Sequence, residues 1–456
     1  MHLAAPVAPI AAHPLLVFIT TVVVMLGLAF LLGRLAQRVG LPAIVGELVT
    51  GVLLGPSLLA KVAPGAYNWM FPASAPEQIH LVDAVGQVGV LLLVGITGTH
   101  LDTRLMRRNG RTALTVSLCG LLIPLALGVA LAFALPSSLT SGGNGGRGTF
   151  ALFLGVAMCV TAIPVIAKTL SDMRLLHRNI GQLILTAGMI DDAVGWLLLS
   201  VVSAAAATGV SAGNVTLAVI YLLVFLLLSV TVLRVVVKKA MTAAARAEGA
   251  GPSIVTAMLL MFGGGLLTHA LGMEPIFGAF VMGILIARAG AGQRQLAALR
   301  TVVLSVLAPL FLASAGLRMD LTALAQPTVA LSAVAVLLIA ILGKFGGAYL
   351  GARLRKLGRA EGLALGAGMN SRGVVEVIIA LTGLRLGVLN TATYTIIVLV
   401  AIFTSLMAPP LLRRAVNRIE VREEERLRKL DHDAWNGQLE PAEPRRPEGD
   451  DVDRAA

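Results

Sequence analysis

Charge is what this sequence has least of. Only 13% of its 456 residues are Asp, Glu, Lys or Arg, while 57% are hydrophobic. A soluble domain carries about 25% charge. With a mean hydropathy of +0.87, the composition excludes a soluble globular chain and describes a polytopic membrane protein. Cysteine is nearly absent: Cys119 and Cys159 are the two present. Both sit in apolar runs without metal-ligand spacing, which excludes a thiolate metal centre and leaves small buried thiols. The N-terminal stretch "MHLAAPVAPIAAHPLL" lacks a basic n-region, so no cleaved signal peptide is expected and the first apolar run stays as a helix. The net charge of +12 does not point to nucleic acid, because the basic residues lie in loops between apolar segments.

Apolar runs are what the chain does have. A bilayer core takes roughly 20 apolar residues of helix, and thirteen segments qualify: about 14–33, 43–60, 82–99, 112–135, 149–171, 181–207, 215–237, 252–271, 275–288, 302–318, 327–351, 361–384 and 390–413. The ninth is the shortest. Basic residues collect after the odd-numbered segments. Examples are Arg34 and Arg38, then Arg104, Arg107, Arg108 and Arg111, then Lys238, Lys239 and Arg246, then Arg353, Arg355 and Lys356. The opposite loops offer Lys61, Arg147, Arg318 and Arg385. Basic residues mark the cytoplasmic side, so the N-terminus is expected outside and the C-terminus inside, in the cell inner (plasma) membrane. A missed segment would invert the pattern, and it does not invert. The chain therefore divides into a membrane domain, 1–413, and a charged tail, 414–456, expected to be helical at first and then disordered by composition. The "SGGNGG" stretch at 141–146 reads as a flexible outer loop.

Against this background a few polar groups stand out. "LTAGMIDDAVGWLLLS" places Asp191 and Asp192 in the middle of the sixth segment. A carboxylate at the bilayer centre costs roughly 2.5–3.5 kcal/mol on insertion scales, and mid-segment acids are too deep to reach the interface. Neighbours on a helix point about 100° apart, so the two acids face different partners: one a fixed charge, the other a cation in a cavity. Lys344, mid-segment in "VLLIAILGKFGGAYLGARL", is the candidate fixed charge. Snorkelling to the end of its helix would span about nine residues, or roughly 13 Å, so its natural partner is Asp191.

Two segments carry helix breakers at depth. The fifth reads "VAMCVTAIPVIAKTL", with Pro164 after Thr161; the twelfth reads "GAGMNSRGVVEVIIA", with Asn370, Ser371, Arg372 and Gly373 together. Non-helical backbone at membrane depth is tolerated where it is buried in protein or lines a cavity. Broken helices in corresponding halves point to a transport site. The breaks lie seven segments apart, an odd offset that reverses direction, so the broken helices would run oppositely and cross. Arg372 and Glu376, four apart, read as an ion pair on one helix face. Glu47 reads as interfacial and His269 as structural. Gly343, Gly347 and Gly351 form a small-residue stripe for close helix packing.

Taken in order, "VGELVTGVLLGPSLL", "TAIPVIAKTL", "GMIDDAVGW", "LGMEPIFGAFVMGILIAR", "PLFLASAGLRMDL", "GKFGGAYLGARL" and "NSRGVVEVIIA" resemble the monovalent cation:proton antiporter-2 family, from about residue 14 to 413. The resemblance implies an all-α fold of about thirteen transmembrane helices with an inverted repeat and two crossing broken helices. It implies a core domain that moves and a second domain that forms a homodimer. Asp192 would bind the cation and proton in turn, and Asp191 would pair with Lys344. The site set it implies is Asp192, Asp191 and Lys344 for ion and proton, with Thr161, Pro164, Asn370, Ser371, Arg372 and Glu376 at the breaks. The transported ion would be Na⁺ or K⁺, held by Asp192, Asp191 and Thr161, with no cofactor and no enzymatic step. The nucleotide-binding domain of Kef-type members is not seen. Three rivals are weaker. An intramembrane aspartyl protease needs its two acids on facing helices to share a proton. A channel would be obstructed by a buried Asp–Lys pair, and a carrier of another solute on the same fold is the remaining alternative.

Overall fold

The computed structural model describes residues 10–72, 75, 77–99, 103–140, 146–208, 212–290, 293–421 and 425. Apolar sequence in a bilayer must satisfy its own backbone, and the helix is the local way to do so. The long elements are α1 (Ala12–Arg38), α2 (Ala43–Val62), α3 (Glu77–Thr99), α4 (Thr103–Ala134), α5 (Gly146–Cys159), α6 (Ile163–Asp172), α7 (Asn179–Thr208), α8 (Val219–Arg246), α9 (Gly251–Ala270), α10 (Pro275–Ala289), α11 (Ala297–Gly316), α12 (Pro327–Leu354), α13 (Arg359–Met369), α14 (Val374–Arg385) and α15 (Thr391–Val416). Strands are absent among the described residues. Among the described residues eleven spans are long and apolar enough to cross a membrane, and the pair α13–α14, bent by 44°, makes a twelfth. The short α10 occupies the ninth segment, so each of the thirteen apolar segments holds helix, interrupted in the fifth and the twelfth.

The helices sort into two bundles. In the first, α1–α3 pack with α9–α11 and α8 lies against α9 and α10; in the second, α4–α7 pack with α12–α15. Apart from α8, each bundle thus takes three spans from either half of the chain, and the packing order repeats: α1 on α2 matches α9 on α10, and α4 on α5 matches α12 on α13. This is a repeat in packing terms, and its offset of seven spans, an odd number, reverses the second half in the membrane relative to the first. The bundles meet along a seam where α7 touches α8 and α10, α14 touches α11 and α15 touches α2.

Packing explains why particular residues face inward. Along α1, Val17, Thr21, Met25, Ala29 and Gly33 recur every four residues and are buried, while Leu16, Ile19, Val23 and Phe30 point outward. Spacing of four keeps side chains on one helix face. Where helices cross most closely only glycine fits. A Cβ on Gly51 would lie 2.0 Å from the Ala313 carbonyl oxygen, and one on Gly316 would lie 2.2 Å from that of Leu48. The stripe on α12 packs on α4: a Cβ at Gly347 would stand 2.5 Å from the Cys119 carbonyl oxygen.

Among the other residues singled out in the sequence, Glu47 is half-buried on α2 and His269 is exposed in the last turn of α9. The loop at 141–145 and the tail beyond Val421, apart from Glu425, lie outside the described residues.

Candidate functional site

The fifth span stops being helical at Cys159, resumes at Ile163, and leaves Val160, Thr161 and Ala162 non-helical. The sequence places the interruption after Thr161; it begins two residues earlier, and Pro164 stands in the first turn of α6. There its missing N–H is harmless, since first-turn donors have no intrahelical partner. The twelfth span breaks between Met369 and Val374. The two breaks touch. The Ala162 N–H donates to the Ser371 carbonyl at 3.2 Å, and the Thr161 hydroxyl lies 3.2 Å from the Met369 carbonyl. Two unwound segments therefore satisfy part of each other's backbone.

A half-helix ending inside a protein leaves its last carbonyls unpaired and its negative dipole end exposed. Two buried cations meet that end of α5. Arg372 donates from Nη1 to the Ala157 carbonyl at 2.8 Å and from Nη2 to that of Met158 at 2.5 Å. Lys344 donates Nζ to the Cys159 carbonyl at 2.5 Å. Arg372 also reaches the Ala340 carbonyl at 3.1 Å and pairs with Glu376 at 3.1 Å. Both cations are fully buried.

The two aspartates on α7 have opposite surroundings. Asp191 receives three donors: the Ser117 hydroxyl on Oδ1, and the Thr161 hydroxyl at 2.7 Å with the Lys344 ammonium on Oδ2. Asp192 is equally buried, yet neither of its oxygens has a hydrogen-bond partner. Adjacent positions on a helix differ by about 100°, so Asp191 turns into the second bundle while Asp192 faces elsewhere. Nearby, both polar atoms of the Asn370 amide and the Ser371 hydroxyl are also buried without partners.

Thr161, Asp191, Lys344 and the α13–α14 break are thus brought into direct contact, and Arg372 and Glu376 pair beside them. Pro164 is half-buried in α6. No cluster of three or more His, Cys, Asp or Glu with metal-holding geometry occurs among the described residues. The arrangement offers oxygen ligands next to one uncompensated carboxylate. Ser117 escaped the sequence reading, because a lone serine in an apolar helix is common and carries no signal of its own. The carbonyl contacts of Arg372 were invisible for a simpler reason: backbone acceptors have no letter in a sequence.

An all-helical membrane fold with two touching helix breaks, an acid pair and a lysine between them defines a secondary transporter of the ion-exchanger class. The chain belongs to the sodium/hydrogen exchanger, transmembrane family, whose model matches residues 19–418. It is 32% identical over 401 residues to the Na(+)/H(+) antiporter NhaS4 of Synechocystis, spanning 88% of this chain and 97% of that protein. It is 32% identical to cation/H(+) antiporter 17 of Arabidopsis thaliana, spanning 88% of this chain but 48% of the plant protein, about half its length. The fold is similar to that of the sodium proton antiporter MjNhaP1 from Methanocaldococcus jannaschii, with a TM-score of 0.61, 19% identity, and coverage of 88% of this chain and 97% of that one.

Proposed function

We propose that this protein is an antiporter, not an enzyme, exchanging a monovalent cation for protons across the cell membrane by alternating access. Sodium is the first choice of cation and potassium the alternative. The observation that carries this reading is the contrast between neighbours. Asp191 is saturated with donors, while Asp192 is buried with both oxygens unpartnered beside two helix breaks. A buried carboxylate without a donor must take a proton or a cation. It cannot hold both, and that competition couples the two fluxes. Asp192 is the carrier site, and the oxygens of Thr161, Asn370 and Ser371 complete the shell of a hard cation. The Asp191–Lys344 pair opens and closes with occupancy. Nothing in this chemistry calls for a resident cofactor.

Orientation follows from the basic loops: the N-terminus outside, the C-terminus and the 414–456 tail in the cytoplasm, and the protein in the inner (plasma) membrane. The large apolar faces of α1 and α8, including Phe30, Leu31, Leu223 and Leu227, meet lipid and support a homodimer. The test is a proteoliposome assay with a trapped pH dye. Pulses of Na⁺ or K⁺ should move protons in the wild-type protein. A cation pulse that moves charge with no proton movement would sink the exchanger reading and favour a channel.

A further inference from the structure

Many serine and threonine hydroxyls in these helices return to their own helix, bonding the carbonyl four residues back. Thr97 does so to Leu93 at 2.9 Å, Ser229 to Phe225 at 2.7 Å and Thr404 to Val400 at 2.7 Å. Ser200 and Ser203 on α7 do not. Both are buried, at 0% and 4% exposure, and neither hydroxyl has a partner; the Trp196 indole N–H, at 1% exposure, has none either. Buried polar groups are nearly always satisfied, so three orphans on one helix need a reason. Their spacing supplies it. Positions 192, 196, 200 and 203 advance by four, four and three residues, which keeps them on one face of α7. The stripe begins at Asp192 and climbs about 16 Å toward the end of α7 away from the basic loops.

That face meets the other bundle. The Trp196 ring lies against Phe280 of α10, centroids 6.2 Å apart. Beyond this pair, toward the same side of the membrane, polar contacts pin the seam. The Arg385 guanidinium at the end of α14 reaches both oxygens of Glu274, just before α10, at 2.9 and 3.2 Å. The Tyr394 hydroxyl donates to the Ala315 carbonyl at 2.7 Å. Glu274 is 5% exposed. With Trp196, Ser200 and Ser203 all at 4% exposure or less, the stripe is closed to the face away from the basic loops.

We infer that the Trp196–Ser200–Ser203 face of α7 is the outer route to Asp192, shut here by Trp196 against Phe280 and latched by Glu274–Arg385. This rests on the alternating-access reading above. When the bundles separate at that face, the three orphan groups meet water and ions entering from outside. When they close, the groups are stranded, which makes the closed state easy to reopen. The latch residues sit on different bundles, so their pair exists in one state and is absent in the other.

The test uses the full chain in membrane vesicles with a reporter, Ser203→Cys, and a positively charged, membrane-impermeant methanethiosulfonate. Modification is read at that position by mass spectrometry, so Cys119 and Cys159 do not contribute. Glu274→Gln and Arg385→Gln should each raise the labelling rate from outside several-fold. The swap Glu274→Arg with Arg385→Glu should return it toward the rate of the intact pair. Should the Ser203→Cys protein not fold, Ser200→Cys serves as the reporter. Equal rates in all four latch backgrounds, or a reporter that never reacts, would overturn the route and its latch. Labelling needs no transport, so it separates this proposal from the exchange reading. A latch-dependent rate in a protein without cation–proton exchange keeps the route and removes the exchanger. Latch-dependent labelling from the basic-loop side instead would reverse the orientation alone.

Discussion

Arg372 and Lys344 share one helix end. Arg372 takes the Ala157 and Met158 carbonyls of α5, and Lys344 takes the next one, Cys159. Two positive charges from different spans thus face one negative dipole end, and each also holds a carboxylate, Glu376 and Asp191 respectively. The terminus of a half-helix in mid-membrane is stabilised by side chains that the acids in turn neutralise.

The first prediction follows from the fork geometry of Arg372. Its guanidinium serves three carbonyls and one carboxylate, a set that a lysine ammonium cannot reproduce. Arg372→Lys should therefore lose most of what Arg372→Ala loses, about 3–5 kcal/mol as for breaking a buried pair. Glu376→Gln should lose less, since it removes a charge but keeps an acceptor. Thermal unfolding in detergent measures all three. A fully stable Arg372→Lys protein would contradict the role of the planar fork.

Asp192→Asn should abolish cation-dependent proton movement in proteoliposomes and leave a well-folded protein, judged by a single symmetric peak in size-exclusion chromatography. Neither oxygen of Asp192 makes a hydrogen bond, so the amide breaks no contact that holds the fold. Retained exchange by this variant would remove Asp192 from the carrier role.

Lys344→Ala should be severely destabilising, because it leaves Asp191 charged, buried and short of its cation, at a cost of about 3–5 kcal/mol. Asp191→Asn with Lys344→Gln leaves no stranded charge. The double variant should recover part of the summed losses, and a double-mutant cycle on melting temperature reads the difference. Simple additivity would mean that the contact contributes nothing to stability.

Gly347→Leu should prevent α12 from docking on α4. Even a methyl at this position would sit 2.5 Å from the Cys119 carbonyl oxygen, and backbone cannot move aside as a flexible side chain can. Gly346, where a Cβ meets nothing within 4 Å, is the control: Gly346→Leu should express at the normal level. Equal yields of monodisperse protein from the two variants would mean that the close approach of the helices is not required.

Much of this arrangement was legible in the sequence, and the reason is energetic. In a bilayer each buried charge is expensive, so Asp191, Lys344, Arg372 and Glu376 announce themselves against an apolar background and two of their pairings follow from depth and spacing. The two breaks were legible through Pro164 and through the Asn370–Gly373 cluster, although their limits were not. The α5 helix ends at Cys159 because its carbonyls are taken over by Arg372 and Lys344, a tertiary cause with no local signature. Ser117 was missed because serine is cheap in a helix that can bond its own backbone. The seam between the bundles was illegible too: Trp196 against Phe280 and Glu274 against Arg385 join residues that are individually ordinary.

The pairing of Asp191 with Lys344 also has a history within the life of each molecule. The two residues are 153 positions apart. At about 5–20 residues per second, the ribosome delivers the lysine roughly 8–30 s after the aspartate. Throughout that interval α7 is made and α12 is not, so the carboxylate has no ammonium to meet. The nascent chain must keep the Asp191 carboxylate hydrated until the second half arrives. Integration of α7 is therefore completed late, and a chain arrested before Pro327 should hold that segment loosely in the membrane.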